Sequence, residues 1–148
     1  MSTPATARSA NVEAVQTLYE AFGRGDLETI LDLLAEDVSW EEWADWFPQR
    51  AGVPWFEHRN GRDGVAEFFR IVGEFEITEF AVLDVMAGDN QVAAQIVIDA
   101  SMPNGGRLRD EELHLWSFDA NGKIRGMRHY VDTAKHIAAA GGEDTTAR

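Results

Sequence analysis

The period of apolar and polar positions changes near Gly73, and the change divides the chain into a helical half and a strand half. In the first half, Val12, Val15, Leu18, Tyr19 and Phe22 recur at the spacing of one helix face. Gly23 and Gly25 end that helix, and Asp26 caps a second one carrying Leu27, Ile30, Leu31 and Leu34 on one face. Residues 37–42 alternate as a short strand. Residues 43–60, with prolines at 48 and 54, read as a long loop of the kind that serves as a lid or binding loop. A third helix starts between Gly61 and Asp63 and carries Val65, Phe68, Phe69 and Val72. After Gly73 the period is that of strands, at 74–87, 91–102, 107–118 and 123–131, separated by the turn signals GDN, PNGG and NG. Asp132 or Thr133 caps a short terminal helix that runs through Ala140 to Gly141 and Gly142. Helices first and an antiparallel meander afterwards predict one α+β domain with helices on one face of a curved sheet. Its expected limits are 11–140, between a loose N-terminus (1–10) and a polar tail (141–148).

Composition narrows this picture by exclusion. The 148 residues suffice for one domain and bury about 70% of the surface of the unfolded chain. Without cysteine there are no disulfides, no thiolate nucleophile and no zinc–thiolate site. A net charge of −13 disfavours nucleic acid and anionic membranes as partners. No apolar run approaches a membrane span, and the N-terminus lacks the apolar core of a signal peptide, so a cytoplasmic location is expected.

Strand alternation then places the candidate chemistry. Leu108, Asp110, Glu112, His114, Trp116 and Phe118 share one side of the third meander strand, with Leu113 and Leu115 on the other. Apolar residues on both sides predict a sheet covered twice, by helices and by a second copy of the chain; a buried strand of a monomer gives the same pattern. On the last strand Met127, His129 and Val131 oppose Arg128 and Tyr130. If Asn121-Gly122 forms a two-residue hairpin loop, His114 lies directly opposite His129, with Cβ atoms about 5 Å apart. A slip of two residues puts His114 beside Met127 instead. Two neighbouring imidazoles in a partly buried site do not both charge readily, so one donates while the other accepts, which suits proton transfer. The structural alternative is a pair of hydrogen-bonded core histidines. No ligand spacing for a metal is present.

The segments AFGRGDLETILDLLAEDVSW, GRDGVAEFF and DANGKIRGMRHYVD resemble the SnoaL-like polyketide cyclases and ketosteroid isomerases of the nuclear transport factor 2-like superfamily, over residues 11 to 140. The resemblance implies an apolar cone, with three N-terminal helices on the concave face of a mainly antiparallel sheet. By position it implies that Glu42 is a carboxylate base and that His129 and His114 stand where these families keep acids. Leu18 stands where a ketosteroid isomerase keeps its tyrosine, with Tyr19 beside it. Gln95 and Val97 stand where limonene epoxide hydrolase keeps an arginine and an aspartate. Tyr19, Trp40, Trp46, Trp55, Phe56, Phe68, Phe69, Gln95, Trp116 and Met127 are expected to line the cone; plain core is the alternative for its apolar walls. His58 and Arg59, in the loop, reach the pocket mouth or read as solvated surface, and His136 on the terminal helix reads as surface. The implied activity is cofactor-independent isomerisation, cyclisation or dehydration of a hydrophobic, carbonyl-bearing molecule of polyketide, terpenoid or steroid type. A non-catalytic binding or assembly module and an epoxide hydrolase variant are the alternatives.

Overall fold

The computed structural model describes residues 4–147. Helix α1 (Pro4–Gly23) leads to α2 (Leu27–Asp32), whose N-cap Asp26 accepts from the Thr29 amide at 3.1 Å. Strand β1 (Leu34–Trp40) follows, then a short helix α3 (Phe47–Arg50), a 3-10 turn (Pro54–Phe56) and the short strand β2 (Arg59–Asn60). Helix α4 (Gly61–Val72) closes the helical half. Strands β3 (Glu76–Ala87), β4 (Gln91–Ser101), β5 (Arg107–Phe118) and β6 (Ile124–Tyr130) form the meander, and α5 (Thr133–Ala140) is capped by Asp132.

The six strands make one mixed sheet in the order β2-β1-β6-β5-β4-β3. All neighbours are antiparallel except β1 and β6, which run parallel, so the last strand sits in the middle of the sheet. The inner face carries Val92, Ala94, Ile96, Trp116 and Met127, all buried, and packs on the helices. The outer face carries Leu113 opposite Tyr130, each 42% exposed. Among the described residues no helix is long and apolar enough to cross a membrane.

Several expectations shift. α1 begins at Pro4, because residues 6–10, expected to be loose, are helical yet mostly exposed and so leave no apolar signature. Leu34, expected on the second helix, opens β1 instead. The loop at 43–60 contains two helical turns and β2. The tail is docked: Arg107 N–H donates to Glu143 O at 3.0 Å, and Thr145 N–H donates to Arg107 O at 2.9 Å. The β5–β6 turn spans three residues, since Asp119 N–H donates to Lys123 O and Gly122 N–H to Asp119 O. A bulge at Arg125 then restores the pairing, and His114 lies opposite His129 as the shorter loop predicts.

Candidate active site

β5 and β6 bring His114 and His129 onto the inner face with ring centroids 4.5 Å apart and planes at 69°. The two rings do not hydrogen-bond each other; each is held by a different partner. Beyond Trp40 the chain turns through Glu41, which has φ 59° and is fully buried. A side chain with a Cβ is uncommon there, and the conformation must be held by its surroundings. Glu41 Oε1 accepts from the His129 backbone N–H at 2.7 Å and lies 3.1 Å from His129 Nδ1, while Oε2 accepts from Trp43 Nε1 at 3.2 Å. This carboxylate takes the Nδ1 side of the His129 ring, Nε2 is hydrogen-bonded by no described residue, and His129 lines the cavity.

His114 belongs to a second network. Trp116 Nε1 donates to Tyr19 Oη at 3.1 Å, and Tyr19 Oη lies 2.7 Å from His114 Nδ1. His114 Nε2 stands 3.1 Å from Glu112 Oε1. The other Glu112 oxygen is 2.7 Å from Nε2 of His136, which also lies 3.1 Å from Asp110 Oδ2. Trp55 Nε1 donates to His136 Nδ1 at 3.0 Å. Read from the indoles inward, every donor finds an acceptor, His136 Nε2 lying within reach of two, and the chain ends on Glu112 as an anion. Burial, and after it the neighbouring His129, push the His114 pKa down to about 4. Burial works against charge on Glu112, and the bonds from His114 and His136 outweigh it, holding this carboxyl well below the usual range. Burial pushes the Asp110 carboxyl and the Tyr19 phenol up. Burial also opposes charge on His136, but its bonds to Asp110 and Glu112 raise it to about 9. The Trp55 indole counters that rise, because it needs a lone pair on Nδ1; the geometry is that of a neutral imidazole.

The cavity lined by these groups is about 70 Å³, roughly half of the ~150 Å³ void that accepts benzene. Of the residues singled out in the sequence, Tyr19, Trp40, Trp55, Phe56, Phe68, Phe69, Trp116 and Met127 line it, together with His114 and His129. Three expected residues do not. Glu42 is exposed on the outer side, 3.2 Å from Ser39 Oγ, because the left-handed turn at Glu41 shifts the alternation by one and sends Glu41 inward instead. Gln95 pairs with Leu113 on the outer face. Trp46 stacks on Trp43 at 4.6 Å, behind Phe56 and outside the cavity. His136, expected at the surface, is 5% exposed and central to the network. Its signal was present on α5, where His136 and Ala139 share a face at i, i+3 and both are buried.

The SnoaL-like domain family matches residues 15–127, which span α1 to β6 and include His114 and the site's helical walls. The chain belongs to the SnoaL-like family. Among solved structures it resembles an NTF2-like protein from Burkholderia xenovorans LB400, with a TM-score of 0.75 and 21% identity over 90% of this chain and 97% of that one. An NTF2-like protein of unknown function from Burkholderia pseudomallei K96243 shares 28% identity, with a TM-score of 0.71 over 88% and 97%. A candidate polyketide cyclase from Xanthomonas campestris pv. campestris shares 23%, with a TM-score of 0.67 over 90% and 98%. No curated protein matches the sequence.

The network gives this SnoaL-like domain a pH signature. His114 is neutral in the folded chain down to about pH 4, whereas an unfolded histidine charges near 6.5. The unfolded state therefore binds more protons between those values, and stability falls as pH drops through that window. Urea unfolding at pH 7, 5.5 and 4.5 is expected to show a declining midpoint, and His114→Phe is expected to flatten the decline. A midpoint independent of pH over this range counts against a neutral, buried His114.

Proposed function

We propose that this SnoaL-like protein is a cofactor-independent acid/base enzyme acting on a small hydrophobic molecule that carries a carbonyl or hydroxyl oxygen. The observation that supports it most is the buried Glu41–His129 pair. Glu41 orients His129 and stabilises its charged form, and the open Nε2 is the group left to exchange protons with a ligand. His114 is occupied by Tyr19 and Glu112, so its part is to shape and polarise the site rather than to carry the proton.

The comparison of two adjacent carboxylates tests this reading. Turnover is found by screening hydrophobic ketones and alcohols. Glu41→Gln, which places an amide against the Trp43 N–H and removes the charge behind His129, is expected to lower kcat at least tenfold, within the range of general acid/base catalysis. Glu42→Gln is expected to leave kcat within about twofold. Equal losses in both, or a loss only at Glu42, would return the base to the position implied by the resemblance. The tight aromatic packing around a cavity of about 70 Å³ favours a second reading, a binding module that turns nothing over. Ligands that bind without turnover in the wild type would establish it.

A further inference from the structure

The charge lining the cavity bears on the kind of reaction it can host. No lysine or arginine is among the 21 residues that line it. Ten of them are phenylalanine, tyrosine or tryptophan, whose ring faces are electronegative. Glu112 is on the wall as an anion, and two further carboxyl groups are buried against cavity histidines, Glu41 on His129 and Asp110 on His136. Apart from His129 Nε2, which exchanges the proton, the side-chain N–H and O–H groups that would stabilise an oxyanion are already committed. Trp116 donates to Tyr19, Tyr19 reaches His114, His114 and His136 give their Nε2 protons to carboxylates, and Trp55 donates to His136. The Trp40 indole N–H makes no hydrogen bond, but it has no accessible surface and so presents nothing to a ligand. An enolate formed when His129 takes a carbon-bound proton would leave its oxygen among ring faces and the Glu112 carboxylate with no donor besides His129 aimed at it, so the site lacks an oxyanion hole.

We infer that the reaction of this site passes through a positively charged intermediate rather than an enolate, and that its substrate is an activated alcohol, tertiary, allylic or benzylic. This rests on the reading of His129 as the proton carrier and deepens it. Charged His129, stabilised by Glu41, gives its Nε2 proton to the substrate hydroxyl. The C–O bond breaks with its electron pair leaving on oxygen, and water departs. The carbocation left behind sits among ring faces near Glu112. Neutral His129 then removes a proton from the adjacent carbon, and the C–H electron pair becomes the new C=C bond. The products are an alkene and water, and His129 is charged again, so the cycle needs no other reactant.

Binding tests this without turnover, which separates its failure from failure of the acid/base reading. Choline mimics the cation, and the alcohol with a quaternary carbon in place of its nitrogen has the same shape without the charge. Calorimetry on the wild type is expected to show choline binding at least about tenfold tighter than the carbon isostere, and Glu112→Gln is expected to narrow that gap. As a second measurement on the wild type alone, para-nitrophenol is expected to bind as the phenol, with its ionisation shifted to higher pH in the bound state. The inference is overturned if the isostere binds as tightly as choline, if neither binds, or if the nitrophenolate form is preferred.

Discussion

His129→Ala is expected to reduce kcat by about 10²–10⁴-fold, the span associated with loss of a positioned general acid/base. His129 holds the one imidazole nitrogen in the cavity wall that is not already bonded within the protein. His114 cannot replace it, since both of its nitrogens are engaged and its pKa is held near 4. The variant also removes one of three hydrogen bonds to the buried Glu41 carboxylate. The His129 backbone N–H at 2.7 Å and the Trp43 indole at 3.2 Å remain. The accompanying loss of stability is therefore about 1–3 kcal/mol, the range for weakening the satisfaction of a buried polar group. The decisive pair of measurements is kcat and the thermal midpoint on the same preparation. Full activity in a folded variant rules out His129 as the proton carrier.

Gly106→Ala carries the largest expected effect on stability. Gly106 opens the approach to β5, where α5 lies against it, and a Cβ at this position would stand 1.9 Å from the Ala139 carbonyl oxygen and 2.8 Å from its carbon. The obstacle is backbone, so no rotamer change relieves it, and the helix end must move away from the sheet. Overpacking of this kind costs about 3 kcal/mol or more, which for a domain of this size lowers the melting temperature by roughly 6–12 °C. His136 rides on the displaced helix, and its bonds to Glu112 and Asp110 would be disturbed with it. A melting temperature within a degree or two of the wild type would show that α5 yields easily.

The alternation of apolar residues made the sheet and its inner face legible, and even the opposition of His114 and His129 could be read from a hairpin signal. The register came out as expected although the turn is one residue longer than Asn121-Gly122 implies, because the bulge at Arg125 compensates. Nothing in the sequence announces that bulge. Which of the two glutamates turns inward was hidden for a related reason. Alternation extended past Trp40 points Glu42 inward, and only the backbone reversal at Glu41 shows which glutamate turns in. Glutamate is not a residue that marks a left-handed turn, so local sequence holds no cue. His136 was missed because polar residues on a terminal helix are ordinarily solvated; its acceptors, Asp110 and Glu112, lie more than twenty positions earlier in the chain.

The central place of β6 has a consequence for biosynthesis. While the chain is being made, β1 is complete some ninety residues before its neighbour β6 exists. Until residues past Ile124 leave the ribosome, β1 and β5 each present an unpaired edge, and the cavity lacks the wall that bears His129. The helical half can pack early through local contacts, but the long-range pairing that inserts β6 must come late. A nascent chain stalled before Ile124 is thus a sheet with a gap in its middle, the form in which this protein would be most prone to aggregate and most in need of a chaperone.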